Sequence, residues 1–319
     1  MQKNQLIKAY RQMLLARRLE ERCANSYGMG LIAGFCHLYI GQEAVAVGIK
    51  SAITQIDHLV TSYRCHVHAM LFGETPKAIL AELFGKKDGS SKGKGGSMHI
   101  FSPENNFWGG HGIVGVPATI GTGIAFAQKY NKSNAVVLAC YGDGAADQGQ
   151  VYESFNMASM WNLPIIYVIE NNHYSMGTCT ARHSAVSDNY YKSGSYWGIE
   201  GEKINGMDFI EVYQKTKNIV EKVRDTSRPY IIEFDTYRYK GHSMSDPAKY
   251  RTKEEVDNVK KNNDCIINMQ NYLLQNSILS QEESDIIENQ VLREIDEAYQ
   301  FAISSQEPDI DDLYKDIII

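Results

Sequence analysis

The sequence has no apolar run near the roughly 18 residues that a membrane span requires. With 43% hydrophobic and 22% charged residues it has the composition of a soluble globular protein, so no membrane partner is expected. It lacks any excess of positive charge. Its 32 Lys and Arg against 38 Asp and Glu leave a net charge of -6, so no basic field draws nucleic acid or anionic lipid, and a polyanionic ligand must be neutralised locally. The six cysteines are scattered and form no C-x-x-C pair, which argues against a zinc site or a disulfide framework and suits a reducing compartment. Internal repeats and low-complexity segments are missing. A G-x-x-x-x-G-K-[ST] phosphate loop is absent, and Gly121-Thr122-Gly123 sits inside a predicted helix, a poor dinucleotide fingerprint. Residues 1–19 carry five basic residues and no acid, superficially like a transit peptide. Leu6, Ala9, Tyr10, Met13 and Leu14 instead form a helical stripe, and no apolar segment with a small-residue cleavage site follows.

What is present fits one large domain. At about 150 residues per domain, 319 residues allow one large or two ordinary domains. The pattern reads as a single domain over 1–319, with an N-terminal helical segment (1–85) and a C-terminal helical extension (251–319). Thr75-Pro76 opens a helix containing Ile79, Leu80 and Leu83. Residues 85–123 are dense in glycine yet interleaved with Met98, Phe101, Phe107 and Trp108, which suggests an irregular, ligand-facing stretch rather than a linker. From Pro117 the pattern becomes α/β. Helices are expected over 117–130, 150–161 and 208–223, and buried strands over 135–141, 164–170 and 229–236. Continuous apolar strands separated by helices predict a mostly parallel central sheet with helices on both faces. The acidic tail ends in Ile317-Ile318-Ile319, read as a segment that docks on a neighbouring chain.

Ligands of open α/β sheets bind beyond the carboxyl ends of the strands. One predicted strand ends in Gly142-Asp143-Gly144-Ala145-Ala146 and the next in Glu170-Asn171-Asn172-His173-Tyr174. Adjacent strands lie about 4.8 Å apart, so oxygens of Asp143 and Asn172 can converge on one hard cation. Glycines beside Asp143 free backbone amides for an anion. Gly-Asp-Gly alone also fits a plain tight turn; the pairing with Asn171-Asn172 favours a metal carrying a phosphate group.

The spacing GDG, 26 residues, NN resembles the thiamine diphosphate-binding motif. Further blocks resemble the alpha subunits of pyruvate dehydrogenase, a family of thiamine diphosphate-dependent 2-oxo acid dehydrogenases. They are Phe35-Cys36-His37 with Gly41-Gln42-Glu43-Ala44, Ser62-Tyr63-Arg64, the KGGSMH run from Lys94 to His99, GIVG at 112–115, and YRYKGHSMSDP from Tyr237 to Pro247. In order, they cover nearly the whole chain. The resemblance implies the thiamine diphosphate-binding fold. It also implies that Asp143 and Asn172 hold Mg²⁺ by side chains and Tyr174 by its carbonyl, with Gly144 and Ala145 lining the diphosphate. Arg64 and Arg238 would neutralise the diphosphate. Tyr63, Gly112 and Val114 would hold the diphosphate or the aminopyrimidine, His242 would touch the diphosphate from a loop, and His37 would face the reacting carbon. His37, His242 and Tyr63 are the catalytic candidates. His111 is a further candidate for lining the site. His58, His66, His68, His173 and His183 receive no role. Asp147 stands where relatives commonly carry Asn, adding a negative charge near the metal in an unknown direction.

The same resemblance implies the decarboxylation of pyruvate and transfer of the acetyl group to lipoamide, feeding acetyl-CoA formation. The carboxylate that activates the cofactor's pyrimidine is not found in this chain; neither Glu43 nor Glu153 matches it, and in the family it comes from a beta subunit. The implied assembly is a heterotetramer of two alpha and two beta chains that meets the lipoyl domain of the dihydrolipoamide acetyltransferase component. Branched-chain 2-oxo acid and acetoin dehydrogenases share the scaffold and are alternatives, pyruvate being favoured by the segment HSMSDPAKYR. A non-catalytic Mg²⁺-nucleotide module is a remote alternative. Ser243 matches a serine phosphorylated in mitochondrial relatives, but an unmodified loop serine is preferred. The chain starts at the first family helix, which leads us to expect a bacterial cytoplasmic protein; the mitochondrial matrix applies only to a processed chain.

Overall fold

The computed structural model describes residues 1–187 and 189–316. Twelve α-helices alternate with strands: α1 Lys3–Gly28, α2 Glu43–Ala52, β1 His58–Ser62, α3 His66–Leu71, α4 Pro76–Leu83, β2 Phe107–His111, α5 Val116–Tyr130, β3 Val137–Gly142, α6 Asp143–Ala146, α7 Gly149–Trp161 and β4 Ile165–Asn171, these forming the first part among the described residues. A small hairpin follows (β5 Tyr174–Ser175, β6 Thr178–Cys179), then α8 Thr180–His183, β7 Glu200–Asn205, α9 Phe209–Thr226, β8 Tyr230–Asp235, α10 Lys253–Asn263, α11 Cys265–Gln275 and α12 Gln281–Ser304. The strands β2-β1-β3-β4-β8-β7 form one six-stranded sheet. Every neighbouring pair in it is parallel.

Alternation along the central strands divides two cores. On β4, Ile166 and Val168 face the core built with α1, α2 and α9, while Ile165, Tyr167 and Ile169 face the opposite core with α5 and α7. Both faces of the sheet are covered, which is why these strands read as unbroken apolar runs. Helix starts follow their capping chemistry. Thr75 accepts from the Ala78 amide ahead of Pro76, Asp208 accepts from Ile210 and Glu211, and Ser280 with Glu283 closes a reciprocal box. Gly121 lies within α5 because a Cβ there would sit 2.7 Å from Ala139 Cβ, so the helix approaches β3 more closely than any side chain allows.

Two expectations change. The segment 1–85, read as helical, contains β1 between β2 and β3 in the sheet; its five residues HLVTS are too few, and too polar at the ends, to stand out between helices. The glycine-dense stretch is not wholly irregular either, since β2 (FWGGH) adds an edge strand there. Gly110 is forced in β2 because Cys65 and the Met98 carbonyl occupy the space of a Cβ. The expected strand of residues 229–236 has a further neighbour, β7, whose sequence EGEKIN is mostly polar because it lies at the sheet edge. The docking tail Ile317-Ile318-Ile319 lies outside the described residues.

Candidate active site at the strand carboxyl ends

The chain order reverses between β1 and β3, where β2 extends the sheet one way and β4 the other. A cavity of about 850 Å³ opens beyond the carboxyl ends there. Each strand end delivers part of its lining: Tyr63 and Arg64 after β1, Gly112 and Val114 after β2, Asp143 after β3, Asn172 after β4 and Arg238 after β8. All twelve residues singled out from the sequence line this one cavity, Gly144, Ala145, Tyr174, His37 and His242 completing the set. The fold therefore brings together positions from residue 37 to residue 242.

Asp143 is buried, and its Oδ1 accepts from the Asn172 amide at 3.3 Å, while Oδ2 has no hydrogen-bond partner. Asn172 Oδ1 and the Tyr174 carbonyl both accept from Arg238 Nη1, at 3.3 and 3.2 Å. Asn172 Oδ1 and the Tyr174 carbonyl thus meet on one guanidinium nitrogen, and Asp143 lines the same cavity. Asn172 is oriented through its Nδ2, which donates to Gln42 Oε1 at 3.4 Å, and Gln42 keeps its own Nε2 unpartnered. A buried polar atom without a partner is costly, and both residues line the cavity. Gly144 is required because a Cβ would run into Ser175 Oγ.

Arg64 is 6% exposed and Arg238 1% exposed. Arg64 donates only to carbonyls, Leu38 O at 2.6 Å and His242 O at 2.9 Å. Arg238 donates to Asn172, to the carbonyls of Tyr174, Met176 and Lys240, and to the Tyr250 hydroxyl. Among the described residues neither forms an ion pair with a carboxylate. Burial, followed by the charge of Arg238, lowers Arg64 to about 10, so Arg64 stays cationic at neutral pH. Two buried cations lacking carboxylates, next to an acidic oxygen lacking a donor, fit a metal-bound polyanion: the cation answers Asp143 and the anion answers the arginines.

His37, Tyr63 and His242 pack their rings together, with centroids 4.4 Å apart for His37 and Tyr63 and 5.2 Å for His37 and His242. The Tyr63 hydroxyl lies 3.5 Å from His242 Nε2. Burial, reinforced by Arg64 and His242, pushes His37 down to about 2; burial with Arg64 and Arg238 pushes His242 down to about 3. Both rings are neutral at pH 7, and each keeps an unpartnered Nδ1. The loop carrying His242 is cross-tied: Asp246 Oδ2 accepts from the His242 amide at 2.7 Å and from the Tyr250 hydroxyl at 2.8 Å. Ser243 is buried, with its hydroxyl 2.9 Å from that of Ser245.

The other histidines find structural partners. His66 bonds Glu20 and Ser97, His68 bonds Glu170, His173 bonds Asp235, and His58 accepts from the Trp108 indole. His111 is not among the lining residues; its Nε2 meets the Trp108 carbonyl and its ring packs on Phe101. Asp147 is directed at His183 Nδ1 (3.4 Å), whose Nε2 is 3.7 Å from Asp143 Oδ2, so the added charge is met by an imidazole rather than by the site. The nearby Asp143 carboxylate holds His183 above its ordinary pKa. Sequence reasoning missed Gln42, Glu170 and Tyr250 as lining residues. Each stands in or beside a motif already singled out, but nothing in the sequence tells which neighbours of a motif face inward.

The family described as "Dehydrogenase E1 component" matches residues 11–311. The chain belongs to that family. It is 51% identical to the "Pyruvate dehydrogenase E1 component subunit alpha" of Rickettsia typhi over 99% of this chain and 97% of that one. It is 49% identical to the protein of that name from Rhizobium meliloti, covering 98% of this chain and 90% of the other. The mitochondrial alpha subunit of Dictyostelium discoideum is 48% identical over 99% of this chain and 83% of its own length. The resemblance carried by the motifs is thereby borne out, and the parallel sheet agrees with the fold expected of this E1 family. Among the described residues of this E1 chain, no helix is long and apolar enough to cross a membrane.

Proposed function

We propose that this chain is the diphosphate-binding half of a pyruvate dehydrogenase: an alpha subunit that holds thiamine diphosphate through Mg²⁺ and works in the bacterial cytoplasm with a beta subunit, as two alpha and two beta chains. The observation carrying this reading is the meeting, in one cavity, of two buried guanidinium groups without carboxylates and the unpartnered Asp143 Oδ2. Asp143, Asn172 and the Tyr174 carbonyl would hold the Mg²⁺. Arg64, Arg238 and His242 would receive the diphosphate, with Gly112, Val114, Gly144 and Ala145 supplying a close backbone wall. When bound, thiamine diphosphate supplies an electron sink for the pair left behind as a 2-oxo acid loses carbon dioxide. The chain's own part is orientation and hydrogen bonding. His37 and His242, neutral and dry, can donate to or accept from a reacting oxygen without carrying a charge into the site, and the Tyr63 ring fixes both imidazoles.

Support for a partner subunit comes from the carboxylates. Among the described residues, the acidic ones lining the cavity are Asp143, Glu170 and Asp246. Glu170 is engaged by the Tyr39 hydroxyl and His68, and Asp246 by His242 and Tyr250. Asp143 belongs to the cation. None is left to act on the pyrimidine, and the residue that does is expected from the beta chain. Phe35, Val114 and Met176 are exposed at the cavity, and Ile113, next to Val114 in the chain, is exposed as well, an apolar rim suited to cover by another chain. The acetyl group would pass to the lipoyl domain of the acyltransferase component, on the way to acetyl-CoA.

Co-expression with the beta chain tests this reading. The pair is expected to decarboxylate pyruvate in the presence of Mg²⁺ and thiamine diphosphate, and the alpha chain alone is not. Equal rates for the chain alone and the pair would overturn the half-site reading. A preference of the pair for branched 2-oxo acids or acetoin over pyruvate would overturn the substrate.

A further inference from the structure

We infer that His66, together with Glu20 and Ser97, is a positioning device for the active-site segment His37–Tyr39. This rests on the reading of His37 and Arg64 given above. Glu20 on α1, His66 on α3 and Ser97 in the glycine-rich loop are far apart in sequence and all buried. Glu20 Oε2 lies 3.0 Å from His66 Nδ1, and His66 Nε2 lies 2.9 Å from Ser97 Oγ. The outer ends of this chain then take backbone amides. Tyr39 N donates to Glu20 Oε1 at 3.1 Å and His37 N donates to Ser97 Oγ at 3.4 Å. Between those two amides, the Leu38 carbonyl accepts from Arg64 Nη1.

Residues 31–42 have no helix or strand, so the amides of His37 and Tyr39 have no ladder or helical partner. Buried amides must find acceptors, and here both acceptors are side chains joined through one imidazole. His66 Nδ1 meets Glu20, while its Nε2 meets both the Ser97 hydroxyl at 2.9 Å and the Ser97 carbonyl at 3.1 Å, and the hydroxyl oxygen accepts the His37 amide. An apolar core would cost less desolvation. What the polar network adds is a fixed height and rotation for one short stretch of backbone, the stretch that carries the His37 ring and the carbonyl holding Arg64. Cys23 Sγ is near enough to complete a three-ligand group with Glu20 and His66, but a cation there would require His66 to surrender one of its hydrogen bonds.

The test uses the alpha–beta complex and two readouts, hydrogen exchange of the peptide spanning residues 35–41 and steady-state kinetics with calorimetric cofactor binding. Ser97→Ala is expected to speed exchange in that peptide about tenfold and to lower kcat about tenfold. Thiamine diphosphate Kd and pyruvate KM should stay within about twofold, because Arg64 keeps its second anchor on the His242 carbonyl and the other residues proposed for the diphosphate are untouched. His66→Asn, which keeps a donor toward Glu20 and withdraws the group facing Ser97, should give the same signature and serves if Ser97→Ala folds poorly. Unchanged exchange in 35–41 overturns the inference, as does a kcat loss that only follows the fraction of folded protein. If the unaltered complex bound no thiamine diphosphate, the proposed function would fail while the exchange readout still decided the positioning role.

Discussion

Arg64 and Arg238 face one cavity as buried cations, and the charge of Arg238 adds to burial in lowering the pKa of Arg64. Like charges held together in low dielectric have a use only if an anion comes between them. Arg64→Met and Arg238→Met are each expected to weaken thiamine diphosphate binding by the worth of a charge-assisted contact, about 1.5–3 kcal/mol, or roughly 10- to 150-fold in Kd. Calorimetry on the alpha–beta complex at two ionic strengths measures this, and the variants should also show a shallower salt dependence than the unaltered complex. An unchanged Kd in both would remove the arginines from the anion site.

Asp143 offers its free Oδ2 to a cation and nothing else within hydrogen-bonding distance. Asp143→Asn keeps the shape and removes the charge. Mg²⁺-dependent cofactor binding should fall at least about 100-fold, while the urea midpoint of the ligand-free chain stays about the same, since losing the 3.7 Å contact with His183 is offset by no longer burying a charge. Magnesium titration followed by tryptophan fluorescence reads the first effect, and denaturation the second.

His37 is neutral in the folded protein down to about pH 2, whereas an unfolded histidine titrates near 6.5. Between those values the unfolded chain binds the extra proton, so stability is greatest above about pH 6.5 and falls as the pH drops below it. The slope contributed by this one residue is about 1.4 kcal/mol per pH unit. Urea unfolding at pH 7.5 and pH 5.5 should show the loss, and His37→Gln should reduce the pH dependence by about one proton. A variant with the full slope would assign the acid sensitivity elsewhere.

At the other end of the sheet, Asp57 accepts from the Val136 amide at 2.8 Å and pairs with Arg224 at 2.8 Å, tying the start of β3 to the end of α9. Burial alone would raise the Asp57 pKa; the bonds from Arg224, Val136 and Thr54 outweigh it and hold it low. Arg224→Met leaves that carboxylate buried without its partner and is expected to cost about 3 kcal/mol in urea denaturation, with thiamine diphosphate affinity of the folded complex unchanged because the site is at the opposite strand ends. An affinity change of tenfold or more would contradict that separation.

How much was legible can be argued residue by residue. Asp143 and Asn172 were readable because adjacent parallel strands end one after the other in the chain, and a strand spacing of about 4.8 Å does the rest. Strands β3, β4 and β8 were readable because burial on both faces leaves an unbroken apolar run. β1 and β7 were not: five residues between helices and a polar edge strand carry no such run. His66 carries no functional signal in the sequence, because two histidines two positions apart do not share a helix face. That geometry is correct, yet both rings are buried, one on Glu20 and Ser97 and the other on Glu170, since α3 is enclosed on all sides. His111 stood beside a glycine motif whose neighbours line the cavity, and its own side chain turns to Trp108.

By itself the sequence determined the alternation of helix and buried strand, the parallel sheet, the acidic residue and amide at successive strand ends, and the family. The family follows from the resemblance of its motifs, the rest from periodicity and from local order along the chain. Only the tertiary structure decided that Arg64 and Arg238 share one cavity without, among the described residues, an ion pair to a carboxylate, that Asp147 answers to His183, and that Glu20, His66 and Ser97 hold the backbone beside His37. Such relations join residues separated by tens to hundreds of positions. They depend on the direction in which each side chain leaves its element, which packing sets and local sequence does not carry.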